Sequence, residues 1–301
     1  MKKIEQPLPK LIVVVGQTAS GKSALAVLLA RRFDGEIISA DSRQVYRGLN
    51  IGTGKITKRE MRGVPHHLLD VADPRISYSA GQYKKDAEKI LRYIVIKGKL
   101  PIIVGGTGFY IDALLGTVSL PEVQRDTALR RRLSKKSAAE LFIMLKKLDA
   151  KRARDIDRNN PVRLIRAIEI AKMLGATPKI KPQSHYEVLK IGLKISDAKL
   201  EKNIHTRLTA RMRAGMIAEV KRLHANGLSW KRMEALGLEY RYLARYLQGK
   251  NTREELLRCI ATESVRYAKR QMRWFKRDLS IIWIDSAHKA EAERKVKEFL
   301  T

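Results

Sequence analysis

Gly16-Gln17-Thr18-Ala19-Ser20-Gly21-Lys22-Ser23 stands directly behind the apolar run Leu11 to Val15 and ahead of an Ala/Leu-rich run. It has the form G-x-x-x-x-G-K-[ST] of a P-loop, a turn between a buried strand and a helix. Such a turn rings a phosphate with backbone N–H groups, and the helix N-terminus adds positive potential. Lys22 supplies a point charge, and the Ser23 hydroxyl can hold Mg²⁺. A ring of amides does not distinguish a nucleotide from another pyrophosphate, so the remaining chain has to decide what the loop holds.

Working outward, Leu11 to Val15 is continuous and β-branched, as in a strand covered on both faces, and Ser23 to Phe33 reads as the helix that follows it. A second strand, Glu36 to Ala40, ends at Asp41, the position in a parallel sheet where ligands bind. Taken alone, Asp41 serves equally well as a turn or helix cap. His66 and His67 are adjacent, so they point to opposite faces of a strand, and no Cys/His set surrounds them; a metal reading is rejected. Ser79 to Lys97 reads as a helix and Pro101 to Val104 as a buried strand. The strand ends in Gly105-Gly106-Thr107-Gly108, whose glycines suit either close approach to a ligand or a plain strand-to-helix turn.

Beyond Pro121 the composition shifts. Arg125 to Lys147 is basic and helical, and no strand pattern returns until about Glu187. Pro161 suits the first turn of a helix over Val162 to Leu174, with Arg163 and Arg166 on one face, which spacing alone reads as a solvated charged face. Val188 to Ile195 returns as a strand, helices run through Lys276, and Ser280 to Asp285 closes the pattern. Its Asp285 imitates the metal-holding Asp of P-loop NTPases but lies behind a long helical region and is discounted. The expected architecture is therefore α/β: a P-loop parallel-sheet core with helices on both faces, built from 1–120 and 187–301, plus a mostly helical insertion over 121–186.

The chain has 301 residues, long enough for a substantial core. Its 62 Lys+Arg against 31 Asp+Glu give a net charge of +31, which points to a polyanionic partner, nucleic acid first, although a lysine-rich proteome would also raise the charge. Tyr267 to Arg277 interleaves aromatics with cations, suiting phosphate contact beside a packed aromatic edge or an ordinary amphipathic helix. The lone Cys259 falls in a helical pattern and reads as a small core residue. No apolar run approaches a membrane span, and the basic, proline-containing N-terminus lacks a signal-peptide pattern, so a cytoplasmic protein is expected.

Six motifs in chain order resemble the tRNA dimethylallyltransferases, or tRNA isopentenyltransferases: GQTASGKS (Gly16 to Ser23), DSRQVYRGLNIGTGK (Asp41 to Lys55), PHHLLD (Pro65 to Asp70), PIIVGGTGFY (Pro101 to Tyr110), VRLIRAIEI (Val162 to Ile170) and AKRQMRWF (Ala268 to Phe275). The resemblance covers most of the chain. It implies transfer of a dimethylallyl group from dimethylallyl diphosphate to the N6 amine of an adenine next to the anticodon, with Mg²⁺. By the same resemblance the P-loop residues Gly16 to Ser23 hold the diphosphate and Ser23 the metal. Asp41 accepts the N6 proton, Thr107 lies near the reacting adenine, and Arg207 reaches the diphosphate. Asp41, Ser42, Arg43, Gln44 and Thr107, with Val162, Arg163, Leu164, Ile165 and Arg166, contact the tRNA anticodon stem-loop, and the enzyme is expected to be a monomer.

The chain departs from the family pattern at Gln17, usually proline, which is expected to loosen the P-loop. It departs also at Arg211, commonly methionine, at Arg273, usually threonine, and at Asn203, often basic. Two other enzymes remain as alternatives: an adenylate isopentenyltransferase acting on free AMP, ADP or ATP, and a P-loop kinase or NTPase that binds RNA. A binding protein without catalysis is the third. The long basic insertion argues against the first, and the missing second Asp against the kinase.

Overall fold

An apolar run that continues without alternation needs cover on both faces, and the chain supplies it. In the computed structural model, which describes residues 8–118, 120–176, 178 and 185–301, Leu11, Val13 and Val15 enter one core and Ile12 and Val14 the opposite one. The strands are β1 Lys10–Gly16, β2 Gly35–Ala40, β3 His66–His67, β4 Leu100–Gly105, β5 Glu187–Lys194 and β6 Ile281–Asp285. They form one parallel sheet in the order β3-β2-β4-β1-β5-β6. The order doubles back beside β1, so the carboxyl ends of β1, β2 and β4 lie next to one another, the usual ligand position in such sheets.

The helices are α1 Lys22–Arg32, α2 Lys58–Met61, α3 Ala80–Ile96, α4 Gly108–Leu114, α5 Thr127–Leu133, α6 Ala138–Leu148, α7 Ala150–Asp155, α8 Pro161–Leu174, α9 Asp197–Arg213, α10 Met216–Ala225, α11 Trp230–Leu236, α12 Leu238–Leu247, α13 Arg253–Phe275 and α14 Lys289–Leu300. None is long and apolar enough to cross a membrane among the described residues. The chain divides into two compact units, Met1–Leu115 with Ser184–Thr301, and Gly116–Gln183.

In the first unit, α1 and α14 pack on one sheet face, and α3, α4 and the end of α13 on the other. A further core joins α9 to α13 with Val45, Tyr46 and Leu49 of the connection that follows β2. In the second unit α5 to α8 close on Leu129, Leu133, Leu141, Leu145, Leu164 and Ile168. The basic, helical stretch 125–147 folds as two helices, α5 and α6. Ser137 ends the gap between them as the cap of α6, its Oγ accepting from Glu140 N while the Glu140 carboxylate accepts from Ser137 N.

Several expected boundaries hold for local reasons. Ser79 Oγ accepts from Gln82 N at the start of α3. Asn160 Oδ1 accepts from Arg163 N with Pro161 at the first helical position of α8. The paired histidines have structural partners: His67 Nε2 lies 2.7 Å from Glu36 Oε2, and His66 Nδ1 lies 2.8 Å from the Val64 carbonyl. Cys259 is half-buried on α13 rather than fully in the core.

Candidate active site

The P-loop turns from β1 into α1. The first intrahelical bond from this end is Leu25 N to Gly21 O, which leaves the N–H groups of Lys22, Ser23 and Ala24 ahead of it. Ala19 takes the left-handed conformation at φ 61°, a strain of about 1–2 kcal/mol for a residue with a Cβ. It is held there by neighbours: Asn203 Nδ2 on α9 donates to Ala19 O at 3.0 Å, and Leu200, Ile204 and Ala268 pack around its methyl group.

Two glutamines complete the support. Gln17, expected to loosen the loop, is buried instead and donates from Nε2 to Ala268 O of α13 at 3.4 Å. Gln271, also on α13 and buried, accepts from Thr18 N at 2.7 Å and donates to Gly106 O at 2.9 Å. One side chain thereby ties the P-loop to the turn after β4. This explains the glycine at 106, where a Cβ would lie 2.0 Å from Gln271 Nε2; at Gly108 a Cβ would lie 2.2 Å from Trp274 Cδ1. Gly106 and Gly108 thus serve close packing on α13.

Lys22 Nζ rests on Gln17 O at 3.2 Å. Burial pulls its ammonium down to about 8; Asp41 opposes this shift and Arg207 adds to it. Asp41 directly follows β2. Its Oδ1 accepts from Arg43 N at 2.8 Å and Gln44 N at 3.2 Å, so it caps its own loop, and among the described residues no donor reaches Oδ2. The turn-capping reading of this residue therefore holds for one of its two oxygens. Thr107 Oγ1 accepts from Ser42 N at 3.0 Å, Thr107 N–H donates to Ala40 O at 3.1 Å, and the Tyr267 hydroxyl meets the Thr107 side chain. Burial and nearby Asp41 push the Tyr267 hydroxyl above its ordinary value.

Asp41 and Tyr267 border a cavity of about 360 Å³. Thr18 and Ala19 of the P-loop, Asp41 to Arg43, Arg207 and Arg211 from α9, and Tyr267 from α13 line it. Ser23, Lys22 and Arg207 border a second cavity of about 740 Å³ on the other side of Ala19, with Val27, Leu28 and Ile56 as its apolar part. Among the described residues no acceptor holds the Arg207 guanidinium; burial and the adjacent Arg211 cation lower its pKa, against Glu239 and Glu60. In the second unit, Val162 and Arg163 are exposed, Ile165 is half-buried, and Leu164 is fully buried in the core. Arg166 joins Arg130 on the buried Glu169 and also donates to Pro121 O.

Sequence reasoning did not single out Gln271, Asn203, Tyr267, Arg211 or Glu219 as site residues. The first three touch the P-loop or Thr107, and the last two hold the loop facing Arg207. For Gln271 the signal was its place inside AKRQMRWF; Gln17, Asn203 and Arg211 were visible only as departures from a pattern.

With this geometry in hand, comparison with known proteins is consistent throughout. Residues 44–278 match the IPP transferase family model. The chain is 41% identical over 286 residues to a protein named tRNA dimethylallyltransferase 2 of Citrifermentans bemidjiense, covering 92% of this chain and 91% of that one. It is 39% identical to a tRNA dimethylallyltransferase of Anoxybacillus flavithermus, over 97% and 95%. Among solved structures, the full-length tRNA isopentenylpyrophosphate transferase of Bacillus halodurans superposes with TM-score 0.70 at 36% identity, covering 96% and 99% of the two chains. A eukaryotic dimethylallyltransferase acting on tRNA superposes with TM-score 0.78 at 25% identity, covering 92% of this chain and 74% of that one. The chain belongs to the tRNA dimethylallyltransferase family of IPP transferases.

Proposed function

We propose that the protein transfers the dimethylallyl group of dimethylallyl diphosphate to the N6 amine of an adenosine next to the anticodon of tRNA, and releases diphosphate. The observation that carries this reading is the meeting in one cavity of Thr18 and Ala19 of the P-loop, Asp41 and Arg207, with Asp41 Oδ2 and the Arg207 guanidinium left without a partner among the described residues. The amine nitrogen forms a bond to the allylic carbon as the carbon–oxygen bond breaks, and that electron pair leaves with the diphosphate. Asp41 Oδ2 accepts the proton given up by N6, a step worth about 10²–10⁴ in rate for a positioned base. The N–H groups of Lys22, Ser23 and Ala24, the Lys22 ammonium and Arg207 stabilise charge growing on the leaving group, a term of about 10²–10³ per donor.

Among the described residues no cluster of three His, Cys, Asp or Glu side chains could hold a metal ion. Mg²⁺ bound chiefly through a diphosphate and water needs only one or two protein oxygens, and the Ser23 hydroxyl, exposed at the start of α1, fits that part. Bound there, the ion would neutralise diphosphate oxygens. Thr107, tied to Ser42 and Tyr267, shapes the side of the cavity that receives the adenine. A base can leave its stack in a loop for a few kcal/mol, about the least such flipping costs. Val162 and Arg163 are the exposed RNA-facing candidates of α8; Leu164, Ile165 and Arg166 support them from within their own unit. A monomer in the cytoplasm, where tRNA is found, completes the reading.

The test is direct. Incubation with dimethylallyl diphosphate, Mg²⁺ and tRNA, followed by digestion to nucleosides and mass spectrometry, should yield N6-dimethylallyladenosine. No product from any tRNA bearing adenosine beside the anticodon, or equal turnover of free AMP, would overturn it.

A further inference from the structure

Glu219, on α10, is 1% exposed and collects four donors. Its Oε2 accepts from Asn50 N at 3.0 Å and Ile51 N at 2.7 Å, and its Oε1 from Gly52 N at 3.0 Å and the Tyr240 hydroxyl at 2.7 Å. Three consecutive backbone N–H groups converging on a carboxylate form an anion nest filled from within the protein. The chemistry above makes no use of this acid, yet a buried carboxylate so fully engaged costs desolvation and calls for a role.

What it holds is one wall of the site. Gly52 donates its N–H to Glu219 and accepts at its carbonyl from Arg211 Nη1 at 2.8 Å, and the same Nη1 lies 2.9 Å from Glu239 Oε1. The peptide is so confined that a Cβ at residue 52 would lie 2.6 Å from Tyr240 Cζ. Two residues on, Gly54 presents bare backbone to Arg207: a Cβ there would lie 2.9 Å from Arg207 Nη2. Arg207 has no acceptor of its own among the described residues and is bounded by the backbone at Gly54 and by the like charge of Arg211.

We propose that Glu219 is a positioning residue. By fixing Asn50 to Gly52 it sets Gly54 and Arg211, and through them the place where the Arg207 guanidinium meets the donor diphosphate. This rests on the reading of Arg207 as a diphosphate contact, and the experiment separates the two. Glu219→Gln turns an amide N–H₂ toward donors, whereas Arg207→Ala removes the cation; each single variant and the double variant are assayed for donor KM, kcat and tRNA affinity.

Loss of a charge-assisted bond set should lower kcat/KM for dimethylallyl diphosphate by about 10-fold or more in Glu219→Gln. tRNA affinity should stay within about twofold, and the double variant should be no worse than Arg207→Ala, as for residues acting through one another. A merely structural acid would weaken both substrates together and multiply with Arg207→Ala, which overturns the proposal; unchanged donor kinetics in Glu219→Gln overturn it as well. Silent Arg207→Ala instead sinks the reading of Arg207, and the positioning role with it. If Glu219→Gln does not fold, Tyr240→Phe removes one of the four donors, and the same cycle applies: a smaller donor-specific loss, non-additive with Arg207→Ala, supports the proposal, and a multiplicative one overturns it.

Discussion

The P-loop and the connection from Asp41 to Lys55 both border the cavity, but they are held by different chemistry. Neutral amides hold the P-loop: Gln17 on Ala268 O, Gln271 between Thr18 N and Gly106 O, and Asn203 on Ala19 O. Charged groups hold the connection: Glu219 under Asn50 to Gly52, and Lys55 on Asp70, Asn50 and Tyr46 O. The difference follows from what each must face. A carboxylate bracing the P-loop would repel the diphosphate proposed to bind there, while an amide braces it without adding a net charge. A segment that is only held in place, as Asn50 to Gly52 is by Glu219, can use the stronger, charge-assisted bonds.

The largest effect should come where the two loops meet, at Asp41. Asp41→Ala removes the proposed proton acceptor and also the cap on Arg43 N and Gln44 N. Asp41→Asn keeps an acceptor oxygen for the cap and removes only the base, so comparing the two separates chemistry from loop order. Both should lose about 10²–10⁴ in transfer rate, with tRNA binding largely kept as judged by gel shift. A fully active Asp41→Asn would break the assignment.

Next in size is a pH effect on the amide-held side. Lys22 is held down to about 8 by burial, so it carries its charge below that pH and loses it above. Bound diphosphate favours the ammonium and raises that value. Donor KM should therefore climb, up to about tenfold per pH unit, as pH rises through 8, whereas kcat at saturating donor should decline only at higher pH. In Lys22→Met the KM should be high at every pH and lose this rise. An unchanged KM profile in that variant would assign the titration elsewhere.

Gln271 should rank third. Gln271→Met keeps the bulk but strands Thr18 N and Gly106 O, at about 1–3 kcal/mol for an unsatisfied buried group. The melting temperature should fall, and donor KM should rise more than tRNA affinity changes, because the bracket supports the diphosphate end. Equal loss for both substrates would show that it merely holds the helix to the sheet.

How much of this was legible in advance depends on the range of the interaction. The β1 and α1 pattern, the Ser79 and Asn160 caps and the position of Asp41 after β2 are local, and period and cap chemistry reveal local features. The break between α5 and α6 was not marked in the basic stretch because Lys135 and Lys136 carry the charge pattern through it, although the Ser137 and Glu140 capping box was present in the sequence. Gln271 to Thr18 spans 253 residues and Glu219 to Gly52 spans 167, so no window of sequence contains both partners. Leu164 was assigned to RNA contact by resemblance to a segment, and only packing shows that its side chain belongs to the core of the second unit.

Gln17 is where that limit can be tested with the smallest expected effect. As a substitution for the family's usual proline it suggested a looser turn, because proline fixes φ. Its side chain supplies a different constraint, a long bond of 3.4 Å to Ala268 O from a buried position. That carbonyl belongs to the middle of α13 and has its helical partner as well, so the extra bond is worth at most about 1 kcal/mol. Gln17→Pro exchanges this tether for a fixed φ and a stiffer unfolded chain, a gain of about 0.4–1 kcal/mol where the backbone is compatible. The two terms nearly cancel, so melting temperature and donor KM should both stay close to the parent. Gln17→Ala loses the tether and gains nothing, and should be the less stable of the pair. If Gln17→Ala matches the parent while Gln17→Pro is clearly stabilised, the tether carries no weight, and the amide support of the P-loop rests on Gln271 and Asn203 alone.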